Sequence, residues 1–322
     1  MSGTSNGPTA ENLFLIETPP FLHNGYTVRR MSLDTCLALL PAGIMSIVTF
    51  GLPALWTICL AVGTAILTEA ACQHIVGRRI RVDDGTALVA GLLFAFMLPA
   101  GAPWWLVLVG SAFMMVFGKH VFGGIGAAPF CAPLIGWAAL TVAWPTFMDA
   151  HAVVLNTDLF DPLLKLKYAG AHSLPEGSDL SLLLGKQLGG LGATQVGLLA
   201  LGGLYVAARR AVRFEAAFGF LVGVLGLGTV FWLIDPGRNV SPELYLLTGS
   251  TVLAAFFLIT DHSSTPVAPV GLLLSGLLAG CMTVLIRVYG AYPDGAPFAI
   301  LVTNLFTPVF DMIRPAPYGK RR

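Results

Sequence analysis

Charged side chains are scarce in this chain. Asp, Glu, Lys and Arg make up 11% of its 322 residues, under half the ~25% usual for a soluble domain. The net charge is +1, which gives no electrostatic footing for a polyanionic partner and excludes nucleic-acid binding as a reading. Cysteine is sparse too. The five, Cys36, Cys59, Cys72, Cys131 and Cys281, form no CxxC pair, so neither a disulfide framework nor a metal site contained in this chain is expected. They read as small buried hydrophobes, although a cluster ligand shared with another subunit stays open. Also missing are a Walker A sequence, a Rossmann glycine pattern after a soluble strand, an HExxH helix and a hydrolase-like Ser/His/Asp set. Residues 1–28 lack the basic n-region and short apolar run of a signal peptide, and they read as a tail on the membrane surface.

What the chain has in quantity is apolar surface, with 56% hydrophobic residues. A soluble core could not hide so much, because surface-to-volume scaling forces part of any chain into water. A bilayer removes that limit. A spanning helix needs about 20 mostly apolar residues, and ten candidates are found: 32–51, 54–76, 85–99, 103–118, 128–144, 193–208, 214–234, 242–260, 267–288 and 295–313. The expected fold is an all-α polytopic membrane protein with about ten transmembrane segments.

The basic residues orient this layout. With the N-terminus inside, Arg29, Arg30, Arg78, Arg79, Arg81, Lys119, Arg209, Arg210, Arg213, Arg314, Lys320, Arg321 and Arg322 face the cytoplasm. Lys165, Lys167, Lys186, Arg238 and Arg287 face out. The excess inside follows the positive-inside rule. The expected plan is a cytoplasmic tail at 1–30, a first membrane repeat at 31–144, an extracytoplasmic loop at 145–192, a second repeat at 193–313 and a cytoplasmic tail at 314–322. The stretches beginning at Gly85-Thr86-Ala87 and at Leu247-Thr248-Gly249 look related. Each leads through a second apolar run to a glycine-rich loop, Phe122–Gly126 or Tyr289–Gly295, and then to a last helix. Five segments per half is an odd number, so the halves enter from opposite sides as inverted five-helix repeats, which places a site at their interface.

The most informative polar feature is Gly189-Gly190-Leu191-Gly192-Ala193-Thr194-Gln195, just before the sixth segment. Glycine lets a bulky group approach the backbone, and a helix start offers free amides that suit a phosphate. Locally, Thr194 reads either as a holder of a phosphate-bearing group or as a plain helix cap. Glu69, in the second segment, either pairs with Arg78 or Arg79 or lines an ion path, since ionisable groups in a membrane are costly and face the bundle or a cavity. Lys119-His120 either snorkel or touch a cofactor or partner. Asp34 and Asp311 read as interfacial, Asn304 as an interhelical hydrogen-bonding group, and Trp104, Trp105 and Trp144 as an interfacial belt.

From Thr18 to its end the chain resembles the D-subunit family of the Rnf electron-transport complex, related to the B subunit of the sodium-translocating NADH:quinone reductase. The resemblance is carried in order by Pro19-Pro20, Met31, Leu37–Ala42, Leu67-Thr68-Glu69-Ala70, Asp84–Ala87, Gly118–Gly126, the 189–195 stretch and Ile286–Ala299. In such proteins a threonine after a Gly-x-x-Gly-x turn carries FMN through a phosphoester. The resemblance therefore implies covalent FMN on Thr194, with Gly189 and Gly192 forming the turn. It also allows a second, non-covalent flavin. Some positions differ from the family pattern. Ala193 stands where an acidic residue is usual, and Gln195 where Ser or Thr is frequent. The run Ala128-Pro129-Phe130-Cys131-Ala132 replaces Asn-x-Phe-Asn-Pro, so two amides that could bond a flavin are absent.

The function this implies is that of a membrane subunit of an ion-translocating ferredoxin:NAD oxidoreductase. It would relay electrons through the flavin and help move Na+ or H+ across the bacterial cytoplasmic membrane, without an NAD site of its own. The implied partners are other subunits of that complex, a flavin transferase for maturation and the lipid bilayer. The alternatives are a small-solute channel or transporter of inverted-repeat fold, and an anchor subunit without flavin.

Overall fold

A computed structural model describes residues 27–77, 81–150, 159, 161–169, 178–209, 213–236 and 239–313. Most of both tails, Arg78, Arg79 and much of the 145–192 connection lie outside them. The described residues form helices and no strands. In order these are α1 (Val28–Phe50), α2 (Leu52–Ile75), α3 (Thr86–Met97), α4 (Trp104–Met115, running into a π-helical turn at Val116–His120), α5 (Ala132–Ala143) and α6 (Pro145–Met148). Then come α7 (Pro162–Ala169), α8 (Ser178–Leu183), α9 (Val196–Ala208), α10 (Phe214–Ile234), α11 (Pro242–Leu247) and α12 (Thr251–Leu253, continued by a π-helical turn at Ala254–Leu258). The last are α13 (Pro269–Tyr289), α14 (Ala296–Leu305) and α15 (Thr307–Asp311).

Four of these, α1, α2, α10 and α13, are long and apolar enough to cross a membrane. Large apolar side chains such as Val48, Leu52, Trp56, Leu67, Leu233 and Ile234 are exposed along them, the reverse of a soluble helix and what a hydrocarbon solvent allows. The described residues are those of an all-helical membrane protein.

Local sequence sets the ends. Thr27 caps α1 by accepting the Arg30 amide at 3.3 Å. Gly51, at φ 76°, is the single residue between α1 and α2, and Pro53 starts α2 where its missing N–H costs nothing. At the head of α3, Asp84 Oδ1 accepts the Thr86 amide at 3.1 Å and its hydroxyl at 3.0 Å.

Other apolar segments are shorter than the expected spans. α3 has 12 residues, about 18 Å at 1.5 Å per residue, against a hydrocarbon core of ~30 Å. Its end is set by Pro99, which disfavours helix in the residue before it. The segment expected at 242–260 is broken at Thr248-Gly249-Ser250, where Gly249 adopts φ 65°. Helix α9 starts at Val196 and leaves Gly189–Gln195 as a loop.

The closest packing joins α10 and α13. A side-chain carbon on Gly219 or Gly223 would meet the backbone of α13 around Leu273 and Leu277, and one on Gly276 or Gly280 would meet the carbonyls of Ala216 and Phe220. These are two facing G-x-x-x-G pairs, the small-residue surfaces that let helix backbones approach in a membrane.

Candidate functional site

The 189–195 loop closes the broken end of α3. A helix leaves its last carbonyls without intrahelical partners, and irregular backbone is tolerated at membrane depth only where protein buries and satisfies it. Here the Leu191 amide donates to Leu98 O at 2.8 Å, and the Gly192 and Ala193 amides donate to Phe96 O at 3.1 and 3.0 Å. The glycines make this approach possible. A Cβ on Gly190 would sit 2.7 Å from Phe96 O, and one on Gly192 would enter the Phe96 ring. Gly189 abuts the methyl of Thr194, whose Cγ2 would lie 3.0 Å from an added Cβ.

Thr194 is 1% exposed. Its amide donates to Gly190 O at 3.3 Å and its carbonyl accepts from Gln187 Nε2 at 3.1 Å. Its hydroxyl has no hydrogen-bond partner, so the side chain is not the helix cap that a threonine at this position otherwise offers. A buried hydroxyl left unpaired costs on the order of 1–3 kcal/mol.

Next to the loop lies a cavity of about 300 Å³, at the small end of the ~300–1,000 Å³ range of small-molecule sites. Gly189, Gly190 and Ala193 form one wall, with Trp137, Ser250 and Tyr292 among the others. Trp137 and Tyr292 both pack on Phe298, at centroid distances of 5.2 and 4.6 Å. The Ser250 hydroxyl is buried without a partner, while its amide donates to Asp294 Oδ2 at 2.9 Å. Thr194, next in the chain to Ala193, is not itself among the lining residues. An orphaned hydroxyl, a glycine wall and a cavity with aromatic sides suit a planar group tethered outside the cavity itself, whose lining carries Asp149, Asp161 and Asp294 and no basic side chain. A flavin mononucleotide held here would have its attachment point at Thr194 and its flat faces available to Trp137 and Tyr292.

A second polar cluster sits at the other end of α3. Glu69 is 0% exposed and its partner is Lys119, which reaches from the π-helical turn. The Lys119 ammonium also donates to Thr86 Oγ1 at 2.7 Å, and Gln73 Nε2 donates to Glu69 Oε1 at 3.2 Å. The other carboxylate oxygen, Oε2, has no partner. The expected pairing of Glu69 with Arg78 or Arg79 involves arginines outside the described residues; the described partner is Lys119. Lys119 is buried rather than snorkelling, because a carboxylate inside the bundle holds it there. Glu69, Gln73, Arg81, Asp84, Lys119 and His120 all line a cavity of about 470 Å³.

In the sequence Arg287 reads only as an outward-facing charge. In the structure it is buried and caps the broken helix α11, donating to Tyr245 O at 2.7 Å and Thr248 O at 3.1 Å. It also donates to Thr251 Oγ1 at 2.7 Å and Asp294 Oδ1 at 3.1 Å. Its sequence signal is a lone cation at the end of an apolar run facing a helix that breaks at a glycine. Asp34 is buried, 3.5 Å from Arg209. Asp311 accepts the Val267 amide at 2.8 Å. Asn304 is buried with its Nδ2 unpaired. Trp105 packs edge-on against Trp144 at 5.5 Å.

The profile of the NQR2, RnfD, RnfE family matches residues 15–319. The chain is 33% identical to the D-subunit of the ion-translocating oxidoreductase complex of Yersinia enterocolitica, over 95% of this chain and 99% of that one. It is 32% identical to the protein of the same name from Klebsiella pneumoniae, over 96% and 100%, and 33% identical to that of Cronobacter sakazakii, over 96% and 100%. A profile match along nearly the whole length, together with relatives matched end to end, means that the chain belongs to the NQR2, RnfD, RnfE family.

Proposed function

We propose that the chain is the D-type membrane subunit of an Rnf ion-translocating oxidoreductase complex, and that it carries FMN on Thr194 through a phosphoester. The observation that carries this reading is the Thr194 hydroxyl, buried without a partner at the end of a glycine loop beside a cavity. When bound, the flavin supplies one- or two-electron transfer; the protein supplies position and surroundings. Thr194 would hold the phosphate, and Gly189 and Gly192 would let the loop lie against α3. Trp137 and Tyr292 would flank the ring, while Met97, Pro99 and Leu164, which also line the cavity, would keep water from it. The reading is confined to this one flavin.

We further propose ten membrane segments in two inverted halves, with both termini and the Glu69 cluster on the cytoplasmic side and Thr194 on the outer side. The packing supports a two-fold plan. α2 packs on α3 and α4 as α10 packs on α11 and α13, and α4 packs on α5 as α13 packs on α14. Across the halves, α1 meets α9 and α5 meets α14, each element contacting its own counterpart. Each half also buries one cation near the end of its fourth segment against a hydroxyl at a helix start, Lys119 on Thr86 and Arg287 on Thr251. In this reading the flavin and the Glu69 carboxylate stand at opposite ends of the short helix α3. Glu69 lines the entry of the Na+ or H+ whose movement the complex couples to electron flow. The other subunits of the complex, a flavin transferase and the lipid of a bacterial cytoplasmic membrane are the expected partners.

The test is expression with a competent flavin transferase, a denaturing gel and in-gel flavin fluorescence. The parent chain is expected to fluoresce and Thr194→Val is expected to be dark. A dark parent chain sinks the covalent flavin, and a fluorescent variant moves the attachment elsewhere.

A further inference from the structure

The cavity of about 590 Å³ between α7, the end of α10, α11 and the end of α13 shares no residue with the 189–194 loop. Two cations line it. Arg287 is only 7% exposed, and although its terminal nitrogens are engaged on Tyr245, Thr248, Thr251 and Asp294, its Nε donor has no partner. Lys167 donates to Gly290 O at 2.6 Å and Tyr292 O at 3.1 Å. An ammonium has three protons, which leaves one unused by these bonds. Burial pushes the Lys167 ammonium below the ordinary lysine value, the direction expected where desolvation outweighs any nearby anion.

The Asp294 carboxylate is shared between Arg287 and the amides of Ser250 and Ala296, so it covers one of the two cations. Asp235 also lines the cavity and is exposed. The same lining includes the apolar side chains Leu166, Phe231, Ile234 and Val288. Ile234 and Tyr289, at the opening, are 72% and 73% exposed, on helices whose outer faces meet lipid. Inorganic phosphate would use only the cations, and hydrocarbon only the apolar side chains.

We infer that this cavity binds an anionic, phosphate-bearing amphiphile, with its phosphate against Arg287 and Lys167 and its hydrocarbon along Phe231, Ile234 and Val288. The inference does not rest on the flavin reading; the two cavities share Leu163 and Pro293 in their linings, and the test keeps them apart. The purified full-length chain is titrated in detergent with phosphatidylglycerol or phosphatidylcholine, and retained lipid is counted by native mass spectrometry. Phosphatidylglycerol is expected to bind at least about fivefold tighter, and Lys167→Gln to remove about that factor, the scale of one lysine at an anionic membrane surface. Lys167→Arg should restore it. Val288→Trp, which enlarges a side chain of the apolar lining, should lower retention without touching a charge. Thr194→Val should leave retention unchanged, whatever becomes of flavin fluorescence. Equal retention of the two lipids would overturn the inference, as would affinity indifferent to both Lys167→Gln and Val288→Trp. So would displacement of phosphatidylglycerol by inorganic phosphate at matching concentration, since that would mark a site for a soluble anion.

Discussion

At the residue scale, both candidate clusters are built on buried side chains with a polar atom left unpartnered, Thr194 Oγ1 in one and Glu69 Oε2 in the other. Glu69 is sealed against Lys119, and removing one partner leaves the other charge uncompensated. Lys119→Met and Glu69→Gln are each expected to lower stability by about 3 kcal/mol, the lower end for breaking a buried pair, and the double variant to recover most of it. Chemical unfolding of the detergent-solubilised chain, run as a double-mutant cycle, checks this; additive losses would mean that the two groups do not act as a pair. Little of this cluster was legible in the sequence. Glu69 was conspicuous as a carboxylate in an apolar run, but Arg78 and Arg79 were the nearer cations along the chain, and Lys119 is 50 residues away. Proximity in sequence is a poor guide once helices pack side by side. Thr194 was legible as a candidate through its glycine spacing. That its hydroxyl stands unpaired was not, because the alternative cap depends on where the helix begins.

At the element scale, hydropathy located the apolar segments well and their ends less well. It counts side chains, whereas the ends are set by backbone hydrogen bonds. The stretch 242–260 is apolar enough to read as one helix, yet the Arg287 guanidinium and the Thr251 hydroxyl satisfy the carbonyls that a continuous helix would have used. Gly190 and Gly192 read as loop glycines; their reason, the approach to Phe96, lies in the other half of the chain and is invisible locally. The glycines of α10 and α13 were likewise hidden among 37 in the chain. They give a sharp expectation. Gly223→Leu or Gly280→Leu forces two backbones apart and should cost roughly 1–3 kcal/mol or more, as overpacking does. Gly226, one turn along α10, has nothing within 4 Å of an added Cβ, so Gly226→Ala should be neutral or slightly stabilising. Thermal unfolding of the three variants side by side decides it, and unchanged or raised stability in Gly223→Leu and Gly280→Leu would mean that these glycines do not set the approach of the two helices.

At the scale of the whole molecule, the two-fold plan predicts sidedness. Tyr168, on α7, and Ile125, between the π-helical turn and α5, are both exposed. In right-side-out vesicles an impermeant maleimide should label Tyr168→Cys directly and Ile125→Cys only after permeabilisation, in a background with the native cysteines replaced; the opposite pattern would invert the topology. The interlock between α3 and the 189–195 loop carries a consequence for how the protein is made. The carbonyls of Phe96 and Leu98 find their partners in Leu191, Gly192 and Ala193, residues that the ribosome delivers only after the first half has entered the bilayer. Unpaired backbone in hydrocarbon costs several kcal/mol per group, so a chain halted near residue 150 would sit in the membrane with an open seam, exposed to quality-control proteases. Completion of the second half closes that seam and, in the same event, shapes the loop that holds Thr194. Maturation of the site would then wait on folding, and a half-made subunit would have nowhere to carry the proposed flavin.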